Sequence, residues 1–295
     1  MAGPCKPLYA KCCILGLGLI GGSMGLALGK YKVVEERWGY DVDTLAMEKA
    51  VERGAVDNAA DLNTPGLQQA LRDAELVILS APVRQSLKIL EEVAPLLRKG
   101  ALVTDVGSTK KNIVRAMENI LPPGVTGIGG HPMSGSEKSG IAAADAALLK
   151  NSAYLLTPAR GTSREALDKL QEAIRIIGAL PYVLEPEEHD QLAALSSHLP
   201  HLVAVTLVNT FKNSGYEQKL LHTFAGNGFK DTTRIAMGEP SMWSDIFSTN
   251  KHNLGDALNL FLEEFNILCK HIQKENEKEV VKKLSEGRLW RRSFC

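Results

Sequence analysis

A glycine-rich turn between an apolar run and a helix-like run constrains the fold more than any other segment. The apolar run, Cys12–Leu17, is typical of a buried strand. The turn has the spacing Gly-x-Gly-x-x-Gly, formed by Gly16, Gly18 and Gly21. The first glycine permits a tight turn, the second lets backbone approach a pyrophosphate, and the third lets helix and strand pack closely. Because a helix N-terminus favours anions, the turn predicts a dinucleotide-binding unit.

The choice of dinucleotide follows from the acid that ends the next predicted strand. That strand is Arg37–Tyr40, and Asp41 follows it. In a dinucleotide-binding unit a carboxylate at this distance from the glycines holds the adenosine ribose hydroxyls. Asp41 would repel a 2′-phosphate, Asp43 adds a second acid, and no Lys or Arg follows closely. We therefore expect NAD rather than NADP as the cofactor.

Four further residues complete the predicted cofactor site. Leu19 and Ile20 lie inside the glycine turn, whereas Ser80 and Pro82 lie where a third apolar run, Leu76–Ser80, passes into a helical pattern. The carboxyl edge of a parallel sheet faces the dinucleotide in such folds. A plain helix start with proline in its first turn is a compatible interpretation of the same residues.

The order of the remaining runs predicts two domains. Up to about residue 185, short apolar runs alternate with helical patterns, which indicates a parallel sheet with helices on both faces. From Pro186 only helical patterns follow. We therefore expect an α/β fold with a Rossmann-type, doubly wound parallel sheet in residues 1–185, followed by an all-helical domain in residues 186–295.

The individual elements are predicted from the same periodicity. The remaining strands expected are Leu102–Asp105, Val125–Gly129, Ala153–Thr157 and Tyr182–Leu184. The helices expected in the second domain are Glu187–Lys212, Glu217–His222, Pro240–Asn250 and Lys251–Leu284.

Composition narrows the class of partner. Lys plus Arg and Asp plus Glu number 34 each, so no net charge attracts nucleic acid or an anionic membrane. A small-molecule substrate is the better expectation. The five cysteines fit no metal-site spacing and are typical of reduced thiols in the cytoplasm. We expect neither a signal peptide nor a transmembrane helix, because no apolar run reaches about 18 residues.

Four polar segments carry the more specific signal, and their order resembles the prephenate/arogenate dehydrogenase family. They are TDVGSTK at 104–110, GGHPMSGSEKSG at 129–140, SSHLPH at 196–201 (preceded by His189-Asp190) and GFKDTTRIA at 228–236. The resemblance runs from about residue 11 to about residue 275. It implies a two-domain oxidoreductase that forms a homodimer through its helical domain. It also implies oxidative decarboxylation of prephenate to 4-hydroxyphenylpyruvate, or of arogenate to tyrosine, in tyrosine biosynthesis.

The chemistry implied by the resemblance needs few groups. Hydride leaves the hydroxyl-bearing ring carbon, a base takes the hydroxyl proton, and carbon dioxide departs as the ring becomes aromatic. The enzyme needs a base, donors that orient the substrate and a cation for a carboxylate, but no metal. His131 is the candidate base, Ser108 can orient the hydroxyl, and Arg234 can clamp a carboxylate. By resemblance His201 and Ser136 contact substrate, and Glu137 gates or hydrogen-bonds the site.

Two residue pairs and Arg234 have other interpretations. His198 and His201 are three residues apart on a predicted helix, but no acidic third metal ligand has suitable spacing. His198 is equally compatible with a core or capping role. The adjacent His189 and Asp190 superficially resemble a metal phosphohydrolase motif, but a helix N-terminal cap after Pro186 is the simpler interpretation. Arg234 is also compatible with an interdomain salt bridge.

Two rival functions stay open at this point. A β-hydroxyacid dehydrogenase would carry a catalytic lysine on the helix that opens its second domain, where this chain has no lysine before Lys212. A non-catalytic NAD-sensing protein would not need His131, Ser108 and Arg234 together. Prephenate and arogenate are not distinguished, and Asn227 stands where many members of the family have glycine.

Overall fold

The computed structural model describes residues 6–135 and 138–294. Ser136 and Glu137, both predicted to lie in the site, fall outside the described residues.

An eight-stranded sheet organises the first part of the described chain, in the order β3-β2-β1-β4-β5-β6-β7-β8. The strands are β1 (Tyr9–Leu15), β2 (Val34–Tyr40), β3 (Asn58–Ala59), β4 (Leu76–Leu79), β5 (Leu102–Asp105), β6 (Thr126–Pro132), β7 (Ala153–Pro158) and β8 (Leu180–Val183). Its helices are α1 (Leu19–Lys30), α2 (Thr44–Glu52), α3 (Pro65–Asp73), α4 (Val83–Val93), α5 (Lys111–Ile120) and α6 (Arg164–Ile176).

Helices cover both faces of the sheet, as predicted. Along β1 the buried side chains alternate between two hydrophobic clusters: Cys12 and Ile14 pack in one, Cys13 and Leu15 in the other. Successive side chains of a strand point to opposite faces, so each cluster occupies one face. Burial raises the pKa of the Cys13 thiol to about 12 and that of Cys12 well above its ordinary value. Both thiols are therefore inert core residues.

The sheet is parallel, as predicted, except at one junction. β7 runs antiparallel to β6, and β8 runs parallel to β7. A parallel neighbour needs a helical crossover. The described part of the β6–β7 connection contains only a short 3-10 turn at Ile141–Ala143, so the chain returns in the opposite direction. The short strand β3 and helix α3 were not predicted, and Pro65 occupies the first turn of α3.

The second part of the chain is helical over its described length, as predicted. Its helices are α7 (Pro186–Ala193), α8 (Leu199–Lys212), α9 (Gln218–Phe224), α10 (Asn227–Thr233), α11 (Pro240–Thr249), α12 (Lys251–Gln273) and α13 (Glu277–Arg292). The prediction of one helix over Lys251–Leu284 was wrong. Glu275 adopts a positive φ of 50° between α12 and α13, which breaks the helix, and the Asn276 side chain accepts from the backbone N–H of Glu279 to start the next one.

A five-residue π-helical turn, Ala194–His198, joins α7 to α8. It precedes Pro200, whose ring disrupts the regular backbone hydrogen bonds of the preceding turn. Among the described residues, the continuous helix Pro186–Lys212 is long and apolar enough to span a membrane by length and composition alone. Core helices of soluble proteins pass the same test. This one begins with Glu187 and Glu188 and buries Asp190, so we propose no membrane partner.

Candidate active site

The glycine turn has the geometry that a dinucleotide pyrophosphate needs. Gly16 has a φ of +111°, and a β-carbon there would lie 2.5 Å from the carbonyl carbon of Ser80. A β-carbon on Gly21 would lie 1.9 Å from the carbonyl oxygen of Gly16. At Gly18, by contrast, no described atom lies within 4 Å of the added β-carbon. Gly18 is also the N-cap of α1 and supplies no side-chain cap, so the turn leaves backbone N–H groups and space for an anion. Leu19 and Ile20 form the first turn of α1 beside that space.

Asp41 lies beside the same turn. Its Oδ2 accepts from the backbone N–H of Leu17 at 2.7 Å, and its Oδ1 accepts from the N–H of Asp43 at 3.0 Å. The carboxylate thus braces the glycine turn as well as lying where a ribose is expected. Asp43 has a local role, because its side chain caps α2 by accepting from the N–H of Leu45 at 2.9 Å.

Ser80 and Pro82 lie at the carboxyl edge of the sheet, as predicted. Ser80 follows β4, and Pro82 is the N-cap of α4. The Ser80 hydroxyl is buried without a hydrogen-bond partner among the described residues. It would lie 2.8 Å from a β-carbon on Gly21, so it faces the glycine turn. A buried hydroxyl without a partner is costly, and a bound ligand at this edge would satisfy it.

His131, near the end of β6, is the first member of a buried chain of hydrogen bonds that joins the sheet to the helical part. Its side chain is 9% exposed, and its Nδ1 lies 2.8 Å from Nε2 of His189 on α7. Nδ1 of His189 lies 2.8 Å from Oδ1 of Asp190. His189 is fully buried and Asp190 is 1% exposed.

The direction of this chain follows from the partners of Asp190. Its two oxygens accept from the backbone N–H groups of Lys110, at 2.7 Å, and Lys111, at 3.0 Å. A carboxylate only accepts, so Nδ1 of His189 must donate to it and Nε2 of His189 must accept from His131. His131 then carries its proton on Nδ1 and presents a lone pair on Nε2. The arrangement prepares His131 as a base.

The electrostatic environment holds His131 neutral. Burial is the main cause that lowers its pKa well below the ordinary histidine value, and His189, Lys110 and His198 lower it further. A neutral imidazole accepts a proton across the physiological pH range.

The interpretation of His189 and Asp190 as a cap after Pro186 was wrong: Glu185 is the N-cap of α7, and Asp190 caps α5 instead.

The glycines before His131 are explained by packing rather than by a ligand. A β-carbon on Gly129 would lie 2.3 Å from Oγ1 of Thr157, and one on Gly130 would lie 2.4 Å from the carbonyl oxygen of Asp105. Both approaches occur between strands of the sheet. The glycines therefore let β5, β6 and β7 pack closely around His131.

His198 and His201 extend the site into the helical part. Nδ1 of His198 lies 3.2 Å from the Asn250 amide nitrogen, and burial lowers the pKa of His198 to about 4. His201 is 3% exposed and stacks on Trp243, with ring centroids 3.5 Å apart. Burial also lowers the pKa of His201, although a hydrogen bond with the Ile235 backbone opposes this. No group of three or more potential metal ligands occurs in residues 6–135 and 138–294.

Ser108 and Arg234 lie on the two sides of this region. Ser108 is half-buried and follows β5, the strand that lies next to β6, which carries His131. Arg234 is exposed and begins the short 3-10 turn Arg234–Met237, whose second residue hydrogen-bonds His201. The fold therefore places the segment of Arg234 against His201, while Ser108 lies at the sheet edge with His131.

Comparison with known proteins identifies the family of this chain. The model of the prephenate dehydrogenase nucleotide-binding domain matches residues 24–195, and that of the prephenate dehydrogenase dimerization domain matches residues 185–286. The chain belongs to the prephenate dehydrogenase family. It is therefore an oxidoreductase, with a nucleotide-binding α/β domain and a helical domain.

Individual relatives cover nearly the whole chain. Prephenate dehydrogenase of Bacillus subtilis (strain 168) is 36% identical over 94% of this chain and 74% of its own length. The crystal structure of prephenate dehydrogenase from A. aeolicus, in complex with hydroxyphenyl propionate and NAD+, superposes with a TM-score of 0.89 and 33% identity. The superposition covers 97% of this chain and 98% of the A. aeolicus chain. Synechocystis arogenate dehydrogenase superposes with a TM-score of 0.82 and 30% identity, covering 97% and 100% respectively.

Four residues that the structure places at the site were not predicted from the sequence. They are His189, Asp190, Trp243 and Asn250. The adjacent His189 and Asp190 were visible as a pair, and a polar pair on the helix face that meets the sheet was the available signal. Trp243 and Asn250 lie in helical segments with no distinguishing motif, so no signal in the sequence indicated them.

Proposed function

We propose that this protein catalyses the NAD-dependent oxidative decarboxylation of prephenate to 4-hydroxyphenylpyruvate. The single observation that carries the proposal is the oriented, neutral His131 at the carboxyl edge of a dinucleotide-binding sheet. Bound NAD supplies the hydride acceptor. The glycine turn, the helix N-terminus at Gly18 and the carboxylate of Asp41 would hold it.

The chain's own residues supply the proton chemistry. Nε2 of His131 accepts the proton of the ring hydroxyl as the carbon–oxygen double bond forms and hydride leaves the same carbon. The electron pair of the bond to the ring carboxylate moves through the ring onto the carbonyl oxygen as carbon dioxide departs, and the protonated His131 returns its proton to that oxygen to give the phenol. The positive charge on His131 is shared through His189 with Asp190, which stabilises it without exposing it to water. His131 is thus the catalytic base, and the other two are positioning residues.

Substrate recognition is assigned to groups around the base. Ser108 would orient the hydroxyl, and Arg234 would pair with a substrate carboxylate beside His201. Ser136 and Glu137 stay predicted substrate contacts. The match to Synechocystis arogenate dehydrogenase keeps arogenate as the second candidate substrate. It differs from prephenate in carrying an amino acid rather than a keto acid side chain.

We also propose that the protein is a cytoplasmic homodimer, with residues 1–185 and 186–295 as its two domains. The dimerization-domain match and the large apolar side chains exposed on the helical part support this. Leu260 and Phe265 on α12 are 56% and 53% exposed, and Trp290 on α13 is 69% exposed. Such a surface is typical of a subunit interface. Light scattering that gives a monomer mass at micromolar concentration would contradict the dimer.

The decisive experiment is steady-state kinetics with prephenate and arogenate, each with NAD and with NADP. We expect turnover of prephenate with NAD and a lower kcat/KM with NADP. In His131→Asn, kcat should fall by about 10²–10⁴-fold while the protein folds and binds NAD as the parent does. The parent kcat should fall as pH drops through the low pKa of His131, and this acid limb should be absent in the variant. Near-parental kcat in the variant would refute the assignment of His131.

A further inference from the structure

Lys110 is a cation buried where the catalytic base is anchored. It immediately precedes α5, and its side chain is 0% exposed. Its ammonium donates to Oδ2 of Asp105 and, at 2.6 Å, to the carbonyl oxygen of Gly130. Gly130 is the residue before His131. One buried side chain thus joins the end of β5 to the backbone that holds the base.

Asp105, the ion-pair partner of Lys110, also holds the backbone of Gly130. Oδ1 of Asp105 accepts from the N–H of Gly130 at 3.0 Å, and Oδ2 accepts from the N–H of Gly107 at 2.8 Å. The backbone of Gly130 is therefore held at both its N–H and its carbonyl oxygen by one buried ion pair. Burying two charges is costly and is often no more stabilising than apolar packing. An ion pair at this place therefore suggests a function beyond stability.

The positive charge of Lys110 lies among the titratable groups around His131. The titratable groups that act on His131 are Lys110 before α5, His189 on α7 and His198 on the π-helical turn. The groups next to these are Asp105, which pairs with Lys110, Asp190, which pairs with His189, and Tyr154 on β7, which lies beside Gly130. Lys110 is the group with a fixed positive charge in this set. Such a charge opposes the protonation of a neighbouring imidazole.

We propose that Lys110 is a positioning residue for the reaction: together with Asp105 it holds the backbone of Gly130, and so the position of His131, and it sets a buried positive charge near the base. The inference rests on the proposed function of His131. The direction of the His131 pKa agrees with it, since Lys110 is among the causes that lower it. Burial lowers the pKa of Lys110 itself, and the carboxylate of Asp105 opposes this loss of charge.

The test separates the charge from the hydrogen bonds. Lys110→Gln keeps an N–H donor near Gly130 and removes the charge. The double variant Lys110→Gln/Asp105→Asn replaces the ion pair by two neutral amides, so that no buried carboxylate is left without its partner. Lys88→Gln, at an exposed position on α4, is the matched control for loss of one lysine.

We expect the acid limb of kcat to move to higher pH by about one unit in Lys110→Gln. The shift should be smaller in the double variant, which also loses the negative charge of Asp105, and absent in the control. The KM for substrate should stay within about twofold, because Lys110 is buried away from the substrate. A purely structural role would lower the folded fraction without moving the limb. Unmoved limbs in folded variants, or failure of both variants to fold, would overturn the proposal.

A titration of the histidine ring resonances by NMR keeps this test independent of catalysis. His131→Asn assigns the resonance of His131 in the parent spectrum. The pKa read from that resonance should be higher in Lys110→Gln than in the parent, even if prephenate proves not to be the substrate. An unchanged pKa would refute the role of Lys110, whereas an inactive parent with a shifted pKa would refute only the proposed function.

Discussion

Replacement of Asp190 by asparagine tests most directly how His131 is oriented through His189. In this substitution the side chain keeps its shape and loses its charge. Oδ1 of Asp190 accepts from His189 and from the N–H of Lys110, and Oδ2 accepts from the N–H of Lys111. The amide oxygen of asparagine keeps most partners when it takes the Oδ1 position. Its NH₂ group then faces the backbone N–H of Lys111, which loses its acceptor. The chain of hydrogen bonds from His131 through His189 keeps its direction but ends on a neutral amide.

The expected loss of activity follows from the hydrogen bond of 2.8 Å between His189 and Asp190. A hydrogen bond to a charged group contributes about 1.5–3 kcal/mol. If this contribution develops when His131 takes the proton, its loss raises the barrier by the same amount. At 1.36 kcal/mol for each factor of ten, kcat should fall roughly 10- to 150-fold. KM should change little, because Asp190 is buried behind the base.

A separate loss of stability is expected from the donor left facing the new amide. An unsatisfied N–H costs about 1–3 kcal/mol when it is fully buried, so this part-buried N–H of Lys111 should cost at most that amount, which urea unfolding would measure. Asp168→Asn is the matched control, because Asp168 forms an exposed pair with Arg164 on α6 that contributes less than about 1 kcal/mol. Kinetics are measured where both variants are fully folded. If Asp190→Asn then retains kcat within twofold of the parent, Asp190 serves only to cap α5.

Two further substitutions test the substrate and cofactor sites. Arg234→Gln should weaken apparent substrate affinity by about 2–5 kcal/mol, because a substrate carboxylate loses its cation, while NAD affinity measured by fluorescence stays unchanged; an unaltered KM would show that Arg234 is structural. Gly21→Ala should abolish NAD binding or destabilise the fold, because its β-carbon would lie 1.9 Å from the Gly16 carbonyl oxygen. Gly287→Ala on α13 has no described atom within 4 Å of the added carbon and should stabilise the protein by up to about 1 kcal/mol in thermal unfolding; equal behaviour of the two variants would refute the packing argument.

Local pattern was sufficient for the elements whose signal lies within a few residues. The glycine spacing after β1 required a strand–turn–helix unit, and the structure confirms Gly16 in a left-handed conformation and Gly21 in close contact. Helical periodicity after Pro186 correctly indicated an all-helical second part. A short irregularity can end a helix without disturbing the periodicity. At Glu275, periodicity alone predicted one continuous helix where the structure has two, α12 and α13.

The sequence by itself indicated the class of fold, the glycine turn and His131 as the candidate base, because each depends on neighbours along the chain. Only the tertiary structure decided how the base is held. The hydrogen bond between His131 and His189 joins residues 58 positions apart, and the capping of α5 by Asp190 spans 80 positions. No periodicity encodes such distances. They arise because β6, α5 and α7 pack together, and the low dielectric of that packed interior is what makes Lys110 and Asp190 matter to the chemistry.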